Sequence, residues 1–262
     1  MIGVFDSGIG GLTIFRDIIQ RLPEYDYLYL GDSARAPYGN HSQEVIYNYT
    51  KQAVDYFLQQ GCGLIILACN TASAEALRSL QQDYPEKKIL GVLIPLSEAA
   101  VETKAKCIGV LATRSTVNSG SFPREIKKLN KQVEVIQQEA PLLVPLIEEN
   151  QEHKPYTRKI IKQYLLPLRS HGVQTLILGC THYGFIRDII QDYVGRKMTI
   201  LDSGKIVADK TADYLARHPE VEKLLTKKGQ QEFLTTDDSR RFDALAVKYL
   251  GKKIKSRQID LL

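Results

Sequence analysis

The feature that most constrains this 262-residue chain is a regular alternation of two residue patterns. Short β-rich apolar runs recur as Ile2-Gly3-Val4-Phe5, Tyr27-Leu28-Tyr29-Leu30, Leu64-Ile65-Ile66-Leu67 and Ile108-Gly109-Val110-Leu111. Further runs lie at 89–94, 133–136, 175–178 and 198–201, with one more possible strand at Glu232-Phe233-Leu234. Small or turn-forming residues close each run. Stretches with apolar residues three and four apart follow, as at 12–22, 42–60 and 155–170. Several runs are apolar on both faces, which a strand tolerates when helices cover both sides of a parallel sheet. The expected fold class is therefore α/β with mainly parallel sheets.

Internal similarity divides the chain. Residues 61–70 read GCGLIILACN and residues 172–181 read GVQTLILGCT, so that Gly, Ile, Leu and Cys coincide, while Ile2-Gly3-Val4 is echoed by Ile108-Gly109-Val110. Two similar flavodoxin-like or Rossmann-like domains facing each other across a cleft are expected, the first from 1–95 plus 207–262 and the second from 96–206. The boundary is set near Pro95, where a strand is expected to end and Ser97-Glu98 to open a helix. Ligands of such sheets bind at the carboxyl ends of the strands. The duplication would bring Cys69 and Cys180 to equivalent strand ends on opposite walls of one cleft.

Composition excludes several classes of function. With 44% hydrophobic and 25% charged residues, the chain is neither disordered nor fibrous. No apolar run has transmembrane length and no signal peptide precedes the first strand, so a cytoplasmic location is expected. Of the net charge of +5, residues 221–262 carry +4, with ten Lys or Arg against six Asp or Glu. A tail such as Lys252-Lys253-Ile254-Lys255, without interleaved aromatics, is a solvated face rather than a nucleic-acid site. The four cysteines, in a reducing compartment, are poor disulfide candidates. They lack Cys-x-x-Cys spacing, and Cys180-x-His182 is too tight to donate two good metal ligands, so no metal is expected.

Cys69 precedes an expected helix beginning near Ala72, and Cys180 precedes one near Phe185. A thiol beside free N–H groups and the positive end of a helix should have a lowered pKa and be reactive. Cys62 and Cys107 lack such neighbours and read as core residues. Asp6-Ser7-Gly8-Ile9-Gly10-Gly11 misses the dinucleotide fingerprint because Thr13 stands where the third glycine belongs. It remains a turn whose N–H groups suit a carboxylate or phosphate, with Asp6 as a proton-handling group. Asp202-Ser203-Gly204 reads as a helix cap. The loop Gly31-Asp32-Ser33-Ala34-Arg35-Ala36-Pro37-Tyr38-Gly39 can fold over a small ligand, with the Tyr38 hydroxyl and Gly39 N–H as donors. Glu148 stands where a helix face or a site acid would both fit. A Cys-His hydrolase would explain only one of the two matched cysteines.

Together, Asp-Ser-Gly-x-Gly-Gly, Gly-Asp-x-Ala-x-x-Pro-Tyr-Gly, Ala-Cys-Asn-Thr-Ala and Gly-Cys-Thr-His-Tyr, in this order and spacing, resemble the bacterial glutamate racemases of the aspartate/glutamate racemase superfamily. The resemblance runs from the first residues to the C-terminal helical region. It implies cofactor-independent interconversion of L- and D-glutamate by two cysteines on opposite faces of Cα, with D-glutamate supplied to peptidoglycan synthesis. Cys69 would deprotonate D-glutamate and Cys180 L-glutamate. Asp6 and His182 would assist, and Glu148 falls where the family places an auxiliary acid. Ser7, Tyr38, Gly39, Asn70, Thr71, Thr116 and Thr181 would hold the substrate. Glutamate as small-molecule partner, no nucleic acid, no membrane and a homodimer complete the expectation. His182, where the wider superfamily carries Glu, and the Pro-Tyr-Gly loop favour glutamate. A racemase of another acidic amino acid such as aspartate, or a carboxylate- or phosphate-binding module with inert cysteines, are the alternatives. The chain departs from the family pattern at Ala140, Gly184 and Phe122, which bears on the loop after the second cysteine and the surroundings of Glu148.

Overall fold

Ten strands form two separate sheets in the computed structural model, which describes residues 1–261. They are β1 (Ile2–Asp6), β2 (Tyr27–Gly31), β3 (Leu64–Leu67), β4 (Ile89–Gly91), β5 (Cys107–Ala112), β6 (Glu134–Glu139), β7 (Thr175–Gly179), β8 (Thr199–Leu201), β9 (Gln231–Thr235) and β10 (Arg257–Gln258). The first sheet has the order β10-β9-β2-β1-β3-β4 and the second β6-β5-β7-β8. Every pairing is parallel. β1, β2, β3, β5 and β7 are buried along their whole length, as their two-faced apolar pattern requires. β6 is an edge strand of mixed polarity and correspondingly more exposed.

Within each unit the second strand lies beside the first, and the third on its other side. The chain order thus reverses at β1 in one sheet and at β5 in the other, and a crevice opens at the carboxyl ends there. Cys69 follows β3 and Cys180 follows β7, the equivalent third strands. Each sheet has apolar clusters on both faces. Cys62 lies in one cluster of the first sheet and Cys107 in one of the second.

Four local expectations are corrected. The run 89–94 is a strand only to Gly91, because helix Leu93–Glu102 begins at once. Pro95 lies inside the first turn of that helix rather than before it; the first-turn N–H groups have no intrahelical acceptor, so a proline there loses nothing. Val92 packs in the first sheet's core and Leu93 in the second's, so the chain crosses between sheets there. After Cys180 comes a 3₁₀ segment, Thr181–Ile186, and the α-helix starts only at Arg187. Asp202 precedes helix Ser203–Arg217 but makes no side-chain cap; its carboxylate pairs with Arg187 instead.

Candidate active site

The carboxyl ends of the two sheets enclose a small, tight cavity between them. Ser7, Gly8, Ala36, Pro37, Tyr38, Gly39, Cys69, Asn70 and Thr71 line one wall, and Thr113, Val144, Glu148, Cys180, Thr181 and His182 the other. The two matched cysteines therefore border the same space.

On the first wall, Cys69 caps helix Asn70–Glu75, its sulfur accepting the Ala72 N–H at 3.5 Å and donating to Ser7 Oγ at 3.4 Å. The expected lowering of this thiol's pKa does not occur. Burial pushes it up to about 12, the nearby Asp6 adds to the rise, and the Ser7 and Ala72 contacts offset it only in part. A six-residue helix contributes less at a dry site than the loss of water costs a thiolate. Cys69 is thus held as the protonated thiol.

On the second wall, His182 stands between two partners. Its Nδ1 lies 3.9 Å from Cys180 Sγ and 3.4 Å from Thr181 Oγ1, while Nε2 meets Glu148 Oε1 at 3.0 Å. Burial alone would push the imidazole down. The hydrogen bonds and charges of Cys180 and Glu148 prevail and raise it to about 10. Glu148 itself, despite the upward pull of burial, is held below the usual carboxylate range by His182 and, more weakly, by Arg241. The raised imidazole thus adjoins the Cys180 sulfur.

Asp6 does not line the cavity. It is fully buried one layer behind, its carboxylate accepting the Gly8 N–H at 3.0 Å, the Gly11 N–H and, from across the cleft, the Thr181 hydroxyl at 3.5 Å. The glycine-rich turn does hold a carboxylate, but it is the protein's own. Burial raises the Asp6 pKa, with His182 and the two N–H groups pulling it back.

Two other expectations change. Thr116 faces Thr71 and Thr113 at 3.3 and 3.0 Å and does not reach the cavity. The Tyr38 hydroxyl donates to Asp32, so it is no donor to a ligand. Thr113, in contrast, lines the cavity although its residue type suggested nothing. The internal echo of β1 in β5 carried the missing signal: extended along the strand to its end, it sets Thr113 opposite Ser7. Tyr249 was equally hidden. It comes from the C-terminal helix Ser239–Leu250, and its buried ring meets His182 edge-on at 6.1 Å. The side chain of Asn70 is buried at the cavity, and neither its amide nitrogen nor its oxygen finds a partner among the described residues. Such unpartnered groups are rare, and these two adjoin the cavity, where a polar ligand can meet them. Among the described residues no cluster of three His, Cys, Asp or Glu is arranged for a metal.

The family profile described as Asp/Glu/Hydantoin racemase matches residues 2–211. A glutamate racemase from Persephonella marina is 40% identical over 261 residues, covering 99% of this chain and 97% of the relative. The chain belongs to the glutamate racemase family. A solved glutamate racemase isoform from Bacillus anthracis superposes with a TM-score of 0.93 at 32% identity, over 100% of this chain and 97% of its own. Another, from Francisella tularensis in complex with D-glutamate, gives 0.90 at 32% identity over 99% and 97%. The three departures from the glutamate racemase pattern are accommodated locally. Phe122 fills the second sheet's core, the Ala140 carbonyl accepts the Tyr183 hydroxyl at 2.9 Å, and Gly184 borders open space.

Proposed function

We propose that the protein interconverts L- and D-glutamate without a cofactor, Cys69 and Cys180 acting on opposite faces of Cα. The observation that carries this reading is the pair of thiols on opposite walls of one cavity, one of them beside His182. Inversion needs a base on one face and an acid on the other. Cys69, kept protonated by burial, is the acid in this state. Cys180, beside a cationic His182 braced by Glu148, is the base. L-glutamate is deprotonated by Cys180 and reprotonated by Cys69 to give D-glutamate. The reverse reaction starts from the opposite protonation state, which Asp6 serves on the Cys69 side.

The carbanion-like transition state is stabilised by oriented donors in a cleft with little water. Asn70, Thr71, Thr113 and Thr181 supply them, with Ser7 and the Tyr38-Gly39 backbone, and the orphaned Asn70 amide takes a substrate carboxylate or ammonium. A glutamate racemase relative solved with D-glutamate supports the choice of substrate. Its product serves peptidoglycan synthesis, and the protein acts in the cytoplasm as a homodimer. No helix among the described residues is long and apolar enough to cross a membrane.

Incubating the protein with L-glutamate in deuterated water tests the reading. α-Deuterated D-glutamate is expected from the wild type and neither Cys69→Ala nor Cys180→Ala should racemise. Persistent optical activity without exchange defeats the proposal, and aspartate in the same assay measures specificity.

A further inference from the structure

Asp32, the first residue after β2, is fully buried and does not line the cavity. Its carboxylate accepts three side-chain hydrogen bonds: from the Tyr38 hydroxyl, from Arg35 Nε at 2.7 Å and from Thr236 Oγ1 at 2.8 Å. These donors come from the loop that borders the cavity and from the residue after β9. We propose that Asp32 is a positioning residue for substrate binding, acting through Tyr38 to set the Pro37-Tyr38-Gly39 loop over the cavity. The proposal rests on the reading of the cavity as a glutamate site.

The loop has little else to hold it. Ala36 donates a long 3.4 Å bond to the Ser33 carbonyl, and His41 donates back to Tyr38 at 3.0 Å; both are local. Anchorage comes from side chains. The Tyr38 ring packs beside Phe5 and Tyr49, and its hydroxyl reaches down to Asp32. Arg35, which supplies the counter-charge, is itself held by Gln52 Oε1 at 2.5 Å and lies 4.1 Å from the centre of the Tyr49 ring. Thr236 ties the hub to the sheet, its hydroxyl accepting the Ala34 N–H at 3.0 Å.

The loop's height is also limited from above. A Cβ on Gly39 would stand 2.6 Å from Thr113 Cβ on the opposite wall, so the loop meets the second domain with no slack. Lifting or tilting it moves the Gly39 backbone relative to Thr113 and Cys69, which share the cavity. A buried carboxylate is a poor device for stability alone, because its desolvation offsets much of what its partners return. As a fixed point for three donors it gives geometry.

The test measures kcat, KM and Tm for glutamate racemisation in full-length wild type, Asp32→Asn, Tyr38→Phe and the double variant. Glutamate protection of the cysteines from alkylation reads binding without turnover. Each single variant should raise KM and weaken protection by about tenfold, as loss of a charge-assisted hydrogen bond implies, with kcat changed by less than about threefold. The double variant should be no worse than either single one, because both break one linkage. A lowered Tm with KM and protection unchanged would reduce Asp32 to a structural group and overturn the proposal. KM effects that multiply in the double variant would also overturn it, since Asp32 would then not act through Tyr38. Should Asp32→Asn fail to fold, Tyr38→Phe and Thr236→Val carry the same comparison. A wild type that is protected by glutamate but does not racemise it defeats the function reading alone and leaves the protection series to decide on Asp32.

Discussion

Gly10 offers a direct test of how the two walls fit. A Cβ built there stands 2.4 Å from Thr181 Oγ1 and 2.6 Å from His182 Nδ1, both on the opposite domain. Ordinary contacts between such atoms lie near 3.5 Å, so Gly10→Ala requires a displacement of about 1 Å at the groups that adjoin Cys180 and Asp6. Neither neighbour can yield freely, since His182 is tied to Glu148 and Thr181 to Asp6. Overpacking of this kind costs about 1–3 kcal/mol. For a chain of this size each kcal/mol lowers Tm by roughly 2–4 °C, so a fall of roughly 2–12 °C is expected. The catalytic effect should be larger in proportion: a 1 Å misplacement costs about 100-fold in rate. Racemisation rate by circular dichroism and Tm by calorimetry, with Gly184→Ala as control, measure both. Gly184 has open space around its Cα and should tolerate the methyl. If Gly10→Ala keeps more than about a third of kcat and its Tm stays within about 1 °C, the close approach of the walls is not what the turn provides.

Other outcomes follow from the same geometry. Glu148→Gln removes the anion facing His182 Nε2, so the alkaline limb of L-to-D kcat should move down by roughly 1–3 pH units; an unmoved limb would disconnect this pair from Cys180. His182 has its pKa raised from 6.5 to about 10, so its charged form contributes stability that is full below pH 6.5 and lost as pH rises through about 10. The Tm difference between wild type and His182→Asn should shrink across that window, and a constant difference would contradict a cationic His182. Asn70→Ala removes two buried polar atoms that have no partner without substrate. Its Tm should hold or rise while KM for glutamate climbs about tenfold, as loss of a substrate hydrogen bond requires; a fall in Tm with unchanged KM would make Asn70 a structural residue. Exhaustive dialysis against a chelator should leave the rate unchanged, and loss restored by a divalent ion would place a metal in the mechanism.

Much of the architecture was legible because its causes are local. Two-faced apolar runs such as Leu64–Leu67 and Thr175–Gly179, short and closed by small or turn-forming residues, suit central strands, and both are wholly buried. Helix Pro155–Ser170 follows from its spacing and from proline at the first position. Ile89–Gly91 was overrun because an apolar stretch does not reveal where a strand gives way to a buried helix. β10 was unreadable: two exposed residues, Arg257 and Gln258, carry no apolar pattern. In the site, residues inside distinctive motifs were visible, whereas Thr113 shows only when the repeat is followed to the end of β5, and Tyr249 comes from a helix that looks ordinary until the chain folds.

Sequence alone determined the two α/β units, the placement of one cysteine after the third strand of each, and the small polar residues beside them, because these depend on neighbours in the chain. The tertiary structure decided protonation and direction. It buried Cys69 until its thiol rose to about 12, against the local expectation from a helix terminus. It set His182 between Cys180 and Glu148, drew Asp6 behind the cavity onto Thr181, and turned the Tyr38 hydroxyl away from the ligand toward Asp32. Desolvation and cross-cleft hydrogen bonds sum over groups far apart in the chain, so spacing within any one motif cannot predict their balance.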